Sequence, residues 1–506
     1  MQTDQGLWQP LPADPPPWQQ GAAAPARGHG WIAWIAIIAL ITGAIMMTRL
    51  SGPLGDPGED PVGLTIFQMQ AKYIVGWSSL LPDNAELLYA QSKAALDMGT
   101  LPQRQRFIVI AAELSGPGEA RRVLEELDDL IQNPPGGEPI ELSEPQASIQ
   151  RILHELYPST VLDLDETEAA AAVAGTTAGL EPDERRVLKE HLGWFGELAL
   201  APAETADVPA RDAVLQPARV LAVVLVSVAI TAIGAGLVGL ATLVVFIVFL
   251  FLRRLSGGLG AARAHHQIYA ETFAVWLMLF LGLQLLAEVV SPPGGELLVV
   301  MIMSLASLVA LGWPRWRGIP WRQVRADIGL TLGRAPLLEP GIGVAGYLAT
   351  LPLLFFGLLI TIGLMAIQGA LGPEPSAFAP SGPPAHPIIV QMGGSDIWPK
   401  IQVLFLAAVV APIVEETMFR GVLYRHLRDA TGRFGVALSV TVGVLANSFL
   451  FAAIHPQGFV AIPALMSLAI GMTLVREWRG SLIPSMVIHG VSNGLIISIL
   501  LIMLGI

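Results

Sequence analysis

Long apolar segments recur along most of this chain, and they constrain its fold more than any other feature of the sequence. A bilayer core about 30 Å thick is crossed by a helix of about 20 predominantly apolar residues. Nine segments approach that length and composition: Trp31–Met47, Val220–Leu252, Phe273–Val290, Leu297–Trp313, about Ile342–Gly369, the segment that starts near Ile401, about Val436–His455, Phe459–Val475 and Ile483–Ile506. The sequence therefore predicts an all-α, polytopic membrane helix bundle of about nine spans, located in the cell membrane.

Composition agrees with a membrane protein and excludes several kinds of chemistry. The 506 residues have a mean hydropathy of +0.59 and only 14% of them are charged, which is too apolar for a soluble protein of this length. The net charge of −12 is unevenly spread and gives no indication of a nucleic-acid partner. Cysteine is absent, which excludes disulfides, thiolate catalysis and thiolate metal ligands.

One long stretch between the first two spans has the composition of a soluble domain. Its segments Ala85–Met98 and Glu119–Ile131 carry apolar residues at helical spacing and are separated by Gly- and Pro-rich breakers. We therefore expect a soluble α-helical insert there. The predicted regions are a disordered tail at 1–30, a first span at 31–47, the insert at 48–217, an N-terminal membrane bundle at 218–398 and a C-terminal membrane domain at 399–506.

Arginine residues gather in alternate loops between the spans, which predicts the topology. The positive-inside rule places the arginine-rich loops in the cytoplasm, so the insert and the C-terminus are expected outside. His265 and His266 fall in one such loop and are expected to be solvated. The arginines are Arg253, Arg254 and Arg263 in the first loop, Arg315, Arg317, Arg322, Arg325 and Arg334 in the second, Arg420, Arg425, Arg428 and Arg433 in the third, and Arg476 and Arg479 in the fourth.

Two adjacent carboxylates, Glu415 and Glu416, interrupt the end of the sixth apolar segment. A charged side chain at the centre of a bilayer costs roughly 3 kcal/mol even on lenient insertion scales, so both residues need partners or a function. In a helix, Arg420 lies one turn beyond Glu416 and is close enough to neutralise it. Glu415 is turned about 100° away and has no local partner. The alternative is a cytoplasmic helix end with solvated charges.

Two further polar pairs follow in equally apolar surroundings, each with the i, i+4 spacing of a helix. Phe451 precedes His455 in F-A-A-I-H, and His489 precedes Asn493 in H-G-V-S-N. A single His in an apolar segment is more often a packing residue than a ligand. Here two histidines, an Asn and a Glu pair occur on three separate apolar segments, which favours a shared site.

These motifs resemble those of a known family. E-E-T-M-F-R, F-A-A-I-H and H-G-V-S-N match, in order, the E-E-x-x-x-R, F-x-x-x-H and H-x-x-x-N/D motifs of the CPBP (ABI) intramembrane proteases, which include the type II CAAX prenyl proteases. The resemblance covers roughly residues 400–506. It implies an intramembrane endopeptidase whose partner is a peptide or protein substrate in or at the lipid bilayer, and it leaves the identity of the substrate open.

Peptide hydrolysis in this chain calls for an activated water, because Cys is absent and no Ser has a supported base. Glu415 as general base, helped by His455, could take a proton from that water. His489 and Asn493, one helical turn apart, supply two donors that point the same way and suit a tetrahedral oxyanion. The resemblance implies the same division of roles.

The family resemblance also gives the Glu416 and Arg420 pair the role of holding the site together. Members of the family are often named metalloproteases, and a Zn²⁺ ion bound by His455, His489 and Glu415 is chemically reasonable. The helical zinc motif H-E-x-x-H is absent, so metal dependence stays open.

Two other functions are alternatives to proteolysis by an activated water. A serine intramembrane protease is disfavoured, because none of the candidate serines has a supported base: Ser439, Ser448, Ser467, Ser485 and Ser492. A non-catalytic transporter or scaffold would use its buried Glu, Arg and His groups to carry protons or to join helices. The two classes differ in geometry, since an enzyme needs all three polar pairs in one cavity, whereas a scaffold leaves them as separate helix contacts.

The predicted topology places His455 at the wrong end of its helix. Glu415 comes late in an inward span and His489 early in an outward one, so both belong in the cytoplasmic half. His455 follows an outward helix and would lie on the far side. We therefore expect the His455–Gly458 segment to be a turn held at membrane depth inside the protein, where protein or a wet cavity satisfies its backbone.

Overall fold

The computed structural model describes most of the chain. The described residues are 28–50, 61–135, 139–204, 207–252, 254–255, 257–259, 265–371, 378 and 396–505. Apart from residues 28–30, the expected disordered tail lies outside them, as do Arg253, Arg263 and most of the Pro-rich loop 372–400.

Regular structure in the described ranges is entirely helical. The helices are α1 Gly30–Leu50, α2 Pro61–Leu80, α3 Ala85–Leu96, α4 Leu101–Ser115, α5 Pro117–Gln132, α6 Glu144–Leu156, α7 Glu166–Gly179, α8 Pro182–Leu192, α9 Trp194–Ala199, α10 Val208–Phe251, α11 His266–Val290, α12 Glu296–Trp316, α13 Trp321–Ile328, α14 Glu339–Leu371, α15 Ile397–Ala430, α16 Val436–Ala453, α17 Ile462–Arg479 and α18 Ile483–Gly505. The all-α prediction is confirmed.

Nine of these described helices are long and apolar enough to cross a membrane: α1, α10, α11, α12, α14, α15, α16, α17 with the 3-10 turn before it, and α18. The predicted multi-pass membrane bundle is therefore confirmed. The second span differs from its predicted bounds, because α10 begins at Val208 rather than Val220. Leu215 and Ala218, which precede the hydropathy maximum, are buried in the core of the insert, so one helix carries both apolar surfaces without a break.

The described residues form two compact units: an insert unit within 61–231 and a membrane unit within 28–50, 232–371 and 396–501. In the insert unit, α3 and α5 coincide with the two helices read from the sequence. Thr100 and Ser143 form capping boxes that fix the starts of α4 and α6. Its core includes Phe107, Ile108, Leu124, Leu153 and Phe195. Burying each such side chain contributes roughly 1.5–3 kcal/mol.

In the membrane unit, small residues allow helices to pack closely. Gly471 of α17 faces Thr350 of α14 so closely that an added Cβ would overlap the Thr side chain. Gly357 of α14 likewise faces Ser467 and the carbonyl of Pro463. Association in lipid relies on such contacts, because burying apolar side chains against each other gains little over lipid tails.

His265 and His266 are not solvated, contrary to the sequence expectation. The Nε2 atom of His265 lies 3.1 Å from the carboxylate of Asp327, and the His265 side chain is only 10% exposed. The Nδ1 atom of His266 lies 3.2 Å from Nδ1 of His426. The expectation failed because these partners are 62 and 160 residues away in the chain.

Candidate active site

α15 leaves regular α-helical geometry on both sides of a short regular turn at Ala411–Glu415. The π-helical segments are Leu406–Val410 and Glu416–Leu423. In a π turn each carbonyl accepts from the residue five positions later, as the Leu406 carbonyl does from Ala411. The carbonyl of Ala407 would need the N–H of Pro412, which proline lacks. Inside a bilayer, that carbonyl needs another donor.

Asn493 of α18 supplies that donor. Its Nδ2 atom donates to the Ala407 carbonyl over 3.0 Å. The two helices approach closely because Gly490 and Gly494 face α15: a Cβ added to Gly490 would lie 2.6 Å from the carbonyl oxygen of Ala408. The hydrogen bond fixes the orientation of the Asn493 amide and occupies one of its two N–H groups.

Glu416 and Arg420 form a buried ion pair, as their spacing predicted. Nη1 of Arg420 donates to Oε1 of Glu416 over 2.8 Å, and both side chains are fully buried. The Arg420 guanidinium also lies 4.1 Å from the centroid of the Phe451 ring, within the range of a cation–π contact. Oε2 of Glu416 has no hydrogen-bond partner among the described residues.

His489 connects the two glutamates. Its Nδ1 atom lies 2.8 Å from Oε1 of Glu416, and its Nε2 atom lies 3.9 Å from Oε2 of Glu415. Because an ionised carboxylate only accepts hydrogen bonds, Nδ1 carries the hydrogen. Nε2 therefore faces Glu415, either with a lone pair or, in the imidazolium form, with a second N–H.

Glu415 is the one carboxylate of the pair that stays accessible. Its side chain is 25% exposed, and its Oε2 atom has no hydrogen-bond partner in the described part of the chain. Glu416 beside it is fully buried and paired. Of the two adjacent carboxylates, Glu415 is thus the one that is partly exposed.

His455 lies in the turn that follows α16 and reaches the same cluster. Its Nδ1–H donates to the Phe451 carbonyl over 2.6 Å, which leaves Nε2 with a lone pair. The Phe451 ring lies 4.5 Å from the His455 ring and 5.8 Å from the His489 ring. The turn that contains His455 therefore lies close to α15 and α18. The sequence analysis expected this position for the turn.

The predicted site residues all fall around one centre, which joins α15, the end of α16 and α18. They are Glu415, Glu416, Arg420, His455, His489 and Asn493. Sequence reasoning missed the central position of the Phe451 ring, the two π-helical segments and the Ala407 carbonyl. Pro412, in the middle of an apolar span, was the available signal for the first π-helical segment.

The described side chains do not form a set of ligands for a zinc ion. Within the described ranges, no group of three or more His, Cys, Asp or Glu side chains is placed to hold a metal ion. Glu415, His455 and His489 thus do not form a three-ligand cluster in this conformation, although a catalytic zinc site usually needs three protein ligands.

The fold and site define a polytopic α-helical membrane protein with carboxylate, guanidinium and imidazole groups at a single buried centre. Residues 397–495, from the start of α15 into α18, match the family model described as type II CAAX prenyl endopeptidase Rce1-like. The match confirms the resemblance carried by the three motifs and makes this part of the chain a domain of a membrane peptidase family. No curated protein and no solved structure matches the chain.

Proposed function

We propose that this protein is an intramembrane endopeptidase of the cell membrane that hydrolyses a peptide bond in a membrane-associated peptide or protein. The observation that carries the proposal is the Glu415 side chain, which is 25% exposed, has a buried Oε2 atom without a hydrogen-bond partner in the described structure, and stands beside a buried, paired Glu416. A carboxylate at membrane depth whose oxygen has no hydrogen-bond partner indicates a functional site.

Water activation is assigned to Glu415 and His455. Glu415 takes a proton from a water molecule while the lone pair of His455 Nε2 accepts the second hydrogen and orients the oxygen. The hydrogen bond from Nδ1–H to the Phe451 carbonyl fixes the ring so that Nε2 is the nitrogen available to the water. The oxygen then attacks the carbonyl carbon of the scissile peptide, and a tetrahedral intermediate with a negatively charged oxygen forms.

Oxyanion binding is assigned to His489 and Asn493. His489 is assigned its imidazolium form, in which both ring nitrogens carry a hydrogen. In that form Nδ1–H donates to Glu416 and Nε2–H is free for the oxyanion. The amide of Asn493, held by one N–H at Ala407, offers its second N–H as the other donor.

Collapse of the intermediate completes the reaction. Glu415 delivers its proton to the peptide nitrogen, the carbon–nitrogen bond breaks, and the products are a carboxylic acid and an amine; the acid then passes its proton to the amine, which gives a carboxylate and an ammonium group. The Glu416 and Arg420 pair keeps the His489 ring in place through the shared Oε1 atom. Its role is positional, because neither residue faces the reacting atoms.

The alternative of a non-catalytic transporter or scaffold predicts separate polar contacts between helices. Here the side chains share partners instead: Phe451 touches the Arg420 guanidinium and both imidazole rings, while His489 lies between the two glutamates. This convergence supports the enzyme.

Cleavage by the purified protein in liposomes tests the proposal. Membrane-anchored peptide substrates, including a pair that differs only in a C-terminal prenyl group, should yield defined products with the native chain and none with Glu415→Ala. Glu288→Gln is a suitable control, because Glu288 is an exposed membrane-helix glutamate outside the site. Absence of cleavage across a broad peptide library by folded native protein would contradict the proposal.

A further inference from the structure

A second set of buried polar groups runs between α15, α16 and α17, away from the accessible face of Glu415. On α15 it begins with Glu416 and Arg420 and continues at four-residue intervals. We call the whole set the polar seam. Its members are Glu416, Arg420, Tyr424 and Arg428 on α15, Ser439, Asn447 and Ser448 on α16, and Thr473 and Glu477 on α17, and all are buried.

The end of the polar seam farthest from the glutamate pair is closely hydrogen-bonded. Tyr424 OH donates to Glu477 over 2.8 Å, and Nη1 of Arg428 donates to Ser439 over 3.0 Å. Gly443 lets α16 approach the Tyr424 ring, since a Cβ there would lie 3.0 Å from Cε2. This end therefore has protein partners for most of its polar atoms.

In the middle of the polar seam, only some of the buried polar atoms have a hydrogen-bond partner among the described residues. Nδ2 of Asn447 donates to Thr473 over 3.3 Å, but Oδ1 of Asn447 and Oγ of Ser448 have no hydrogen-bond partner among the described residues. The same holds for Nε and Nη2 of Arg420 and for Nε of Arg428. Buried polar atoms without a partner cost about 1–3 kcal/mol each, and ordered internal water is what usually satisfies them.

These unsatisfied atoms follow one another along the seam. Asn447 lies one helical turn from Phe451, whose ring contacts Arg420, and one turn from Gly443, which contacts Tyr424. From Arg428 to Glu416 the path follows twelve residues of α15, the π-helical segment and the turn after it. Buried polar side chains recur along it, with the Phe451 ring between Arg420 and Asn447, whereas the opposite face of α16 carries exposed apolar residues such as Leu445.

We propose that the polar seam holds a file of internal water molecules that leads from the Arg428 end of the bundle to the glutamate pair and supplies the water consumed in hydrolysis. The proposal rests on the proposed peptidase function for its use, but the water file itself is a property of the seam. Each turnover removes one water, and a substrate bound over Glu415 would cover the direct route from outside. Asn447 and Thr473 then act as positioning residues for water halfway along the path.

Hydroxyl-radical footprinting of the full chain tests the water file independently of activity, because radicals formed from bound water label the nearest side chains. Phe451 borders the seam, and Phe273 is equally buried among apolar neighbours. We expect Phe451 to be labelled several-fold faster than Phe273. Equal labelling of the two rings would overturn the proposal.

The direction of the file is tested by blocking its middle. Asn447→Leu with Thr473→Val keeps the branched shapes and removes the polar atoms. It should slow the labelling of Phe451 and lower kcat with little change in KM, while Tyr424, on the other side of the block, keeps its labelling rate. Thr441→Val, on the exposed face of the same helix, is the matched control and should change nothing. Unchanged labelling of Phe451 in the blocked variant would show that its water arrives by another route.

The two proposals can fail separately. Fast labelling of Phe451 in a protein that cleaves no peptide would remove the peptidase function and leave the water file standing. Cleavage of peptide by a protein in which Phe451 is labelled no faster than Phe273 would remove the water file and leave the peptidase function standing.

Discussion

Asn493 donates an amide hydrogen to the carbonyl of Ala407, 3.0 Å away and 86 residues earlier in the chain. The acceptor is available because Pro412 cannot supply the N–H that a π turn would bring to it. One proline in α15 thus creates the attachment point for a side chain of α18, and the adjoining turn presents Glu415. The local distortion of the helix and the assembly of the site are therefore one structural feature.

Pro412→Ala should reduce cleavage without reducing stability. The new N–H can complete a regular helix, which removes the need for Asn493 and turns Glu415 relative to His489. A displacement of about 1 Å in a catalytic group can lower the rate by about 10²-fold. Cleavage rates and thermal unfolding in detergent measure the two effects. Pro463→Ala is the control, because Pro463 lies in the first turn of α17, where proline is tolerated. Normal cleavage by Pro412→Ala would contradict the role of the π segment.

Arg420→Ala and Asn493→Ala should separate stability from catalysis. Removing Arg420 leaves Glu416 buried without its partner, at a cost of roughly 3–5 kcal/mol, so folded protein should be lost together with activity. Removing Asn493 leaves the Ala407 carbonyl without a donor, which costs about 1–3 kcal/mol. Loss of an oxyanion donor should lower kcat by about 10²–10³-fold. Equal loss of stability in the two variants, by thermal unfolding, would count against these assignments.

Reporter fusions should place residues 137 and 257 on opposite sides of the membrane. The arginine pattern predicts an extracytoplasmic insert and a cytoplasmic loop after α10. At 1.5 Å per residue, the 44 residues of α10 extend about 66 Å, more than twice the thickness of a bilayer core. The activity of a compartment-specific reporter fused at each position shows on which side of the membrane that position lies. The same side for both would remove α10 as a span and change the topology of every later helix.

Metal analysis should find less than one zinc per protein molecule, and cleavage should survive chelation. The expectation follows from the use of His489 between the two glutamates and from the bond that holds Asn493, which together suit oxyanion binding better than a metal shell. Elemental analysis, paired with cleavage before and after chelator, provides the test. Stoichiometric zinc whose removal stops cleavage and whose return restores it would instead assign Glu415, His455 and His489 as ligands.

Much of the architecture could be predicted because it depends on local patterns. Hydropathy alone locates nine spans, and four-residue spacing alone pairs Glu416 with Arg420. The insert helices follow from apolar residues at helical intervals. Bounds were less predictable, since α10 continues through Pro217, at which the sequence predicted the end of the insert, into an apolar span.

The features that the sequence did not predict depend on contacts between residues far apart in the chain. Asn447 was not singled out, because its significance comes from Thr473 on another helix and from atoms that have no partner. His265 was expected in solvent because its neighbours in sequence are polar, whereas Asp327 is its partner in the fold. Local composition reports neither kind of relationship.

Glu415→Gln tests the central claim most directly. The amide keeps the size and hydrogen-bonding shape of the side chain but cannot take the proton of the attacking water. General-base catalysis typically contributes about 10²–10⁴-fold, so single-turnover cleavage should slow by that amount, with thermal unfolding unchanged because the Glu416 and Arg420 pair is left intact. Cleavage at the native rate by folded Glu415→Gln protein would contradict the account.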